Sequence, residues 1–154
     1  MERYVINRLK DKDDSFDEDL IADEDRPRIP EGVYLVQCIQ VKNIQYYRTW
    51  KLHLRFKIAE GEHLELELDM FLNMTDSKGR RFKTVPRASN FYKNWIIANY
   101  GCPPSRGDRM SSKIFLDGIF KAAVRDAIPK FPDGKDMPES IHYSVISHLI
   151  RREG

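Results

Sequence analysis

A chain of 154 residues, 41% hydrophobic and 11% aromatic, is sized for one domain with an appended tail and can build a real core. Its two cysteines, Cys38 and Cys102, are too few for a disulfide scaffold, so a reduced, cytoplasmic setting is expected. The first residues lack the apolar core of a secretion signal, and no apolar run approaches the roughly 18 residues that a membrane helix requires.

The formal net charge of +2 conceals a segregation. Residues 11–25 carry nine acidic residues and one lysine, and the rest of the chain carries a net +10. Residues 1–29 are therefore expected to form an acidic, flexible N-terminal segment, with a short strand or helical turn near Tyr4, Val5, Ile6 and Leu9. A domain over residues 30–150 and a basic end over residues 151–154 complete the expected organisation. A basic body attracts polyanions, and its own acidic segment competes with them or serves as a docking peptide for a protein partner.

The first strand is expected over residues 33–42. Both of its faces are largely apolar, which implies cover on both sides for part of its length. A polar, aromatic turn follows through Asn43, Ile44, Gln45, Tyr46, Tyr47 and Arg48. The second strand alternates most clearly: Trp50, Leu52, Leu54, Phe56 and Ile58 against Lys51, His53, Arg55 and Lys57. The third alternates likewise, with Leu64, Leu66, Leu68, Met70 and Leu72 on its apolar face. Centring the hairpin on Gly61 pairs Ile58 with Leu64 and Phe56 with Leu66, and sets Lys57, Arg55, His53 and Lys51 opposite Glu65, Glu67, Asp69 and Phe71.

Residues 73–88 form a long connector containing Lys78, Arg80, Arg81, Phe82, Lys83 and Arg87. Ser89 is an N-cap and Gly101 a stop for a helix with Phe91, Trp95 and Ala98 on one stripe. A second basic loop carries Arg106 and Arg109. The fourth strand is expected over residues 119–128. The fifth covers residues 141–149, with Ile141, Tyr143 and Val145 on one side and Tyr143 in the core. Three strands, one helix and two more strands make the order of an OB-fold, a five-stranded Greek-key barrel. The expected class is mainly β, with the helix between strands three and four.

Catalytic and metal signatures are absent from the sequence. No Cys-x-x-Cys or His-x-x-x-His spacing occurs, and His142 and His148 would stand about 20 Å apart on one strand. No nucleophile elbow, glycine-rich phosphate loop or Walker lysine is present. The carboxylates of strand three have a plainer role as cross-strand partners of the facing lysine and arginine. The loops are better candidates for binding. Tyr46, Tyr47 and Arg48 are hard to bury together, and Phe82 among Lys78, Arg80, Arg81, Lys83 and Arg87 places a ring where mere solvation needs none. Lys51 adds a cation on the sheet face. Bases would stack on the rings and phosphates would meet the cations of these residues, with Arg87, Arg106 and Arg109 extending the surface. No cofactor is called for, and no membrane is expected as a partner. Oligomeric state is not legible.

Gly32-Val33-Tyr34, the Phe56-x-Ile58-x-x-Gly61-Glu62 hairpin, the Phe71-x-Asn73 strand end and Tyr143-Ser144 resemble small OB-fold proteins of phages and mobile elements. That resemblance covers residues 30–150 and implies a non-catalytic single-stranded DNA-binding or annealing protein beside replication genes. Many bacterial single-strand binders carry their acidic tail at the C-terminus. Here the acidic segment is N-terminal and the C-terminus is basic, with Arg151 and Arg152. The other reading is a protein-interaction or structural module of such an element, docking through its barrel and acidic segment. An enzyme subunit with a loop-built active site is a third.

Overall fold

The computed structural model describes residues 26–106 and 109–154. The expected acidic segment and the element near Tyr4 lie outside these residues. The described chain runs β1 (Gly32–Tyr46), β2 (Thr49–Ile58), β3 (Glu67–Asn73), α1 (Asn90–Ala98), β4 (Ile119–Ala127) and β5 (Tyr143–Arg152), so α1 follows β3 and precedes β4. The strands form one antiparallel sheet in the order β3-β2-β1-β4-β5. The sheet is open: among the described residues no ladder joins its edges. Nevertheless, β3 and β5 lie against each other. Part of the seam is taken by residues ahead of β1, because Ser144 N donates to Pro27 O at 2.9 Å and Ile29 N to Ser144 Oγ at 2.8 Å. Ile29 is buried in the core, so packing begins ahead of the boundary expected at residue 30.

The first strand is longer than its hydrophobic run. Ile44, Gln45 and Tyr46 pair with Lys51, Trp50 and Thr49, which leaves Tyr47 and Arg48 as the turn. The two apolar faces of β1 have a local cause. The ladder to β2 slips between Cys38 and Gln40, and a bulge exchanges the faces of every later residue. Val36 and Cys38 are buried ahead of it, and Val41 packs on the core after it. Asp117 N donates to Cys38 O and Cys38 N to Gly118 O, which fixes the bulge against the entry to β4. A side chain at Gly118 would meet the Phe120 ring at 2.7 Å.

The β2–β3 register is two residues from the expected one. Phe56 faces Leu68, Leu54 faces Met70 and Leu52 faces Leu72. Parity is kept, so all six stay in the core. The error lies in the turn. Residues 59–66 make a wider loop than a Gly61-centred hairpin, closed by Ile58 N to Leu66 O and Glu65 N to Ile58 O. It uses two left-handed residues, Gly61 at φ +88° and Glu65 at φ +71°. Leu64, expected opposite Ile58, is exposed.

The helix reads locally. Ser89 Oγ accepts from Tyr92 N at 3.1 Å, and Gly101 at φ +82° closes the end by donating to Ile96 O. Phe91, Asn94, Trp95 and Ala98 are buried. Asn94 Oδ1 accepts from Leu149 N at 2.8 Å, tying α1 to β5. The fifth strand corrects the expectation. Its buried residues are Ser144, Ile146 and Leu149, whereas Ile141 is exposed and Tyr143 only half-buried. Irregularities in the β4–β5 ladder change its facing. Arg151 and Arg152 belong to β5, and Arg152 donates to Ala98 O at 2.9 Å and to Ile114 O at 3.1 Å. No helix among the described residues is long and apolar enough to cross a membrane.

Candidate nucleic-acid interface

Two stretches that are far apart in sequence, the β1–β2 turn and the loop after β3, meet at Trp50. Thr75 Oγ1 accepts from Trp50 N at 2.7 Å and donates to Trp50 O at 3.1 Å. Met74 N also donates to Trp50 O. The Arg81 guanidinium lies 5.6 Å from the Trp50 ring centroid, within range of a cation–π attraction. Trp50 is half-buried and stands two residues from Arg48. On the other side of the turn, Tyr47 is 82% exposed and held at φ +56°.

Loop 74–82 is a built turn. Asp76 Oδ1 accepts from Lys78 N at 2.9 Å and Arg80 N at 2.8 Å, and Gly79 supplies a φ of +78°. Backbone donation from Arg80 and Lys78 holds the Asp76 carboxyl below its usual range. Thr75 and Arg81 form a bridge beyond it. Arg80 Nε stands 3.5 Å from Asp76 Oδ2, so its charge is partly answered within the loop. No carboxylate pairs with Lys78, Arg81 or Lys83 among the described residues. Arg81, Phe82 and Lys83 line a hollow of about 210 Å³ with Thr84 and Pro86.

The outer face of β2 and β3 carries the odd-numbered residues of β2 and lies on the other side of the sheet from the Trp50 side chain. Lys51 is exposed and faces Asn73, not Phe71; Asn73 in turn brackets Thr75 through its side-chain amide. The ring of Phe71 stacks instead on His53, with centroids 4.5 Å apart and planes 9° from parallel. His53 Nε2 lies 2.7 Å from Asp69 Oδ1, and Arg55 reaches Asp69 at 3.0 Å and Glu67 at 3.2 Å. Lys57 reaches Glu65 at 3.4 Å. Lys57–Glu65, Arg55–Glu67 and His53–Asp69 are the pairs expected from sequence, but Arg55–Glu67 and His53–Asp69 join diagonal neighbours, because of the two-residue shift, and Glu65 reaches Lys57 from the loop. Phe71, His53, Ile44, Arg55, Arg26 and Pro27 line a hollow of about 700 Å³ that opens at the seam.

Burial alone would raise the Asp69 carboxyl, but the hydrogen bonds from His53 and Arg55 outweigh it and lower it. A depressed carboxyl contributes stability above its unfolded pKa, near 3.9, and loses it as pH falls through the folded value. Asp69→Asn should therefore flatten the acid limb of stability below about pH 4. Urea melts of both proteins between pH 2 and 7 check this. Parallel limbs would mean that the Asp69 cluster does not couple to folding.

Lys83 and Arg87 continue the loop toward α1. Arg106 and Arg109 occupy the loop after α1, where Arg109 N donates to Arg106 O at 3.2 Å; they form a second basic stretch, separate in sequence from the loop that meets Trp50. Of the expected residues, Arg81 stands over the Trp50 ring, Tyr47 and Arg48 form the turn just ahead of it, and the Tyr46 backbone pairs in the same turn. Lys78 and Arg80 belong to the turn that follows Thr75, the residue bonded to Trp50, whereas Lys51 lies on the opposite side of β2. Sequence reasoning overlooked Trp50 as a surface ring by placing it in the core set, although its position at a strand end was a signal. Arg26 and His53 were missed because they join the site only across the seam or beside Phe71. Among the described residues no group of three or more His, Cys, Asp and Glu side chains is placed to hold a metal ion.

No protein-family model matches the chain, and no curated protein matches it.

Proposed function

We propose that the sheet is an OB-like Greek-key barrel and that the protein binds single-stranded nucleic acid, DNA first, without catalysis. The strand order and the approach of β3 to β5 support the barrel. The observation that carries the function is the cluster at Trp50, where a half-exposed ring, an arginine above it, and the turn bearing Tyr47 and Arg48 meet. Arg48, Lys51, Lys78, Arg81 and Lys83 take phosphates. Trp50, Tyr47, Phe82 and Phe71 offer π-faces to unpaired bases, each worth about 1–3 kcal/mol when a base stacks fully. Duplex DNA hides those faces, so single strands are preferred. The resemblance drawn above sets this activity among the replication and annealing proteins of phages and mobile elements.

Intrinsic fluorescence tests it. The chain has two tryptophans. Trp95 is buried, and its Nε1 donates to Ser111 O at 3.0 Å. Oligo-dT should quench the emission in a salt-dependent manner, duplex DNA of equal length should not, and Trp50→Phe should abolish most of the quenching. A chain that binds no oligonucleotide at low salt while folded would refute this reading and leave protein docking in its place.

A further inference from the structure

We propose that the outer face of β1, β4 and β5, at the Val33 end, binds a second copy of this chain about a twofold axis parallel to the strands. This contact stands apart from the nucleic-acid reading and does not need it. The apolar residues come first. Ahead of its bulge, β1 buries Val36 and Cys38 on one side and carries Val33 and Leu35 on the other, so the bulge accounts for its two apolar faces only beyond Cys38. Val33 is 58% exposed. It faces Ala123 of β4, and Leu35 faces Lys121. Ala123 and Lys121 face His148 and Arg151 of β5, and Arg125 faces Val145. On the other flank, Ala59 N donates to Leu35 O at 2.8 Å, which sets loop 59–66 beside the start of β1. Glu60, Glu62 and His63 then line a hollow of about 400 Å³ with Val33, Leu35 and Lys121. Leu64 of the same loop is 54% exposed.

The charges on this face are divided across it, and they choose the occupant. Glu60 and Glu62 lie on the loop flank, where His63 Nε2 stands 3.7 Å from Glu62. Lys121 and Arg125 lie on the β4 flank, and neither pairs with a carboxylate among the described residues. A twofold axis parallel to the strands exchanges the two flanks. It therefore seats the acidic loop of each copy on the basic flank of the other and apposes the two Val33 stripes. The same two acids repel a phosphate backbone, so the face does not suit nucleic acid. Four rows about 4.8 Å apart and half a dozen residues of about 3.3 Å make roughly 400 Å² per copy. A standard interface buries about 800 Å² per partner, so the dimer is a weak, reversible one.

Sedimentation velocity of the full chain between about 5 and 500 µM tests this, with a dissociation constant on the order of 10–100 µM expected. Val33→Glu should weaken association by about tenfold or more without lowering the thermal midpoint, since the side chain is exposed. Glu60→Lys with Glu62→Lys makes both flanks basic, and Lys121→Glu with Arg125→Glu makes both acidic. Each of these proteins alone should stay monomeric. An equimolar mixture of the two should associate about as well as the unaltered chain, because opposite charges again meet across the axis. Amide NMR shifts of the unaltered chain over the same concentrations need no variant to fold. They should move at Val33, Leu64, Ala123 and Val145, and stay fixed at Trp50 at the far end of β2. A chain still monomeric at the highest concentration would overturn the proposal. So would a dimer indifferent to Val33→Glu and to both charge reversals, folded reversed proteins that do not associate when mixed, or shifts confined to other faces.

Discussion

Replacing Phe56 by alanine should cost about 3–5 kcal/mol of folding stability. The side chain is fully buried. It is flanked by Cys38 on β1 and Leu68 on β3, and it meets Phe120 of β4 edge-on at 6.3 Å between centroids. Three neighbouring strands thus lose contacts at one position, and the surrounding ladders prevent their collapse into the cavity. A domain of this size holds about 5–15 kcal/mol in total, so a substantial fraction of the protein would unfold on mild heating. Arg55 is the control one residue away. Its guanidinium is partly exposed and shares Glu67 and Asp69 with solvent, so Arg55→Ala should cost no more than about 1 kcal/mol. Urea denaturation of both variants at neutral pH gives the comparison. Equal, large losses would mean that odd and even residues of β2 do not divide between surface and core.

Exchanging both Arg81 and Lys83 for alanine should weaken single-strand binding and reduce the slope of log affinity against log salt by about 1.4, if each contacts one phosphate. Arg80→Ala should do less, because Asp76 already answers that charge at 3.5 Å. Arg81 has a second role. Its guanidinium covers the Trp50 ring, so its removal also alters the stacking surface and should change the depth of fluorescence quenching, whereas Lys83→Ala should change the slope alone. Titrations at four salt concentrations separate these effects. An unchanged slope in the double variant would remove the loop from the interface.

Asp76 illustrates how much of this loop is local. An aspartate two residues ahead of Lys78, with Gly79 beyond it, writes its own turn, whereas the loop was legible from its lysines and arginines around Phe82 and not from that aspartate. What the loop touches was not legible. Thr75 binds Trp50 across 25 residues of sequence, and no periodicity in either stretch announces the contact.

What the sequence by itself determined is the part governed by near neighbours. The alternation of β2 assigns Leu52, Leu54, Phe56 and Ile58 to the core whatever strand lies opposite, because a pleated strand exposes successive residues to opposite sides. Ser89 and Gly101 delimit α1 because a capping hydroxyl and a left-handed glycine act within one turn. Tertiary structure decided the remainder. The β2–β3 register moved by two residues because parity leaves such a shift free, and the choice fell to the left-handed Glu65 in the connecting loop. The facing of β1 reversed at Cys38 because its bulge is held by Asp117 and Gly118, some 80 residues away. The face of β5 fell to Ser144, Ile146 and Leu149 because Pro27, Ile29 and Asn94 supply its hydrogen bonds. The candidate interface belongs to this second class: its cations and rings are visible in the sequence, but their gathering at Trp50 depends on hydrogen bonds between residues that only the folded chain brings within 3 Å.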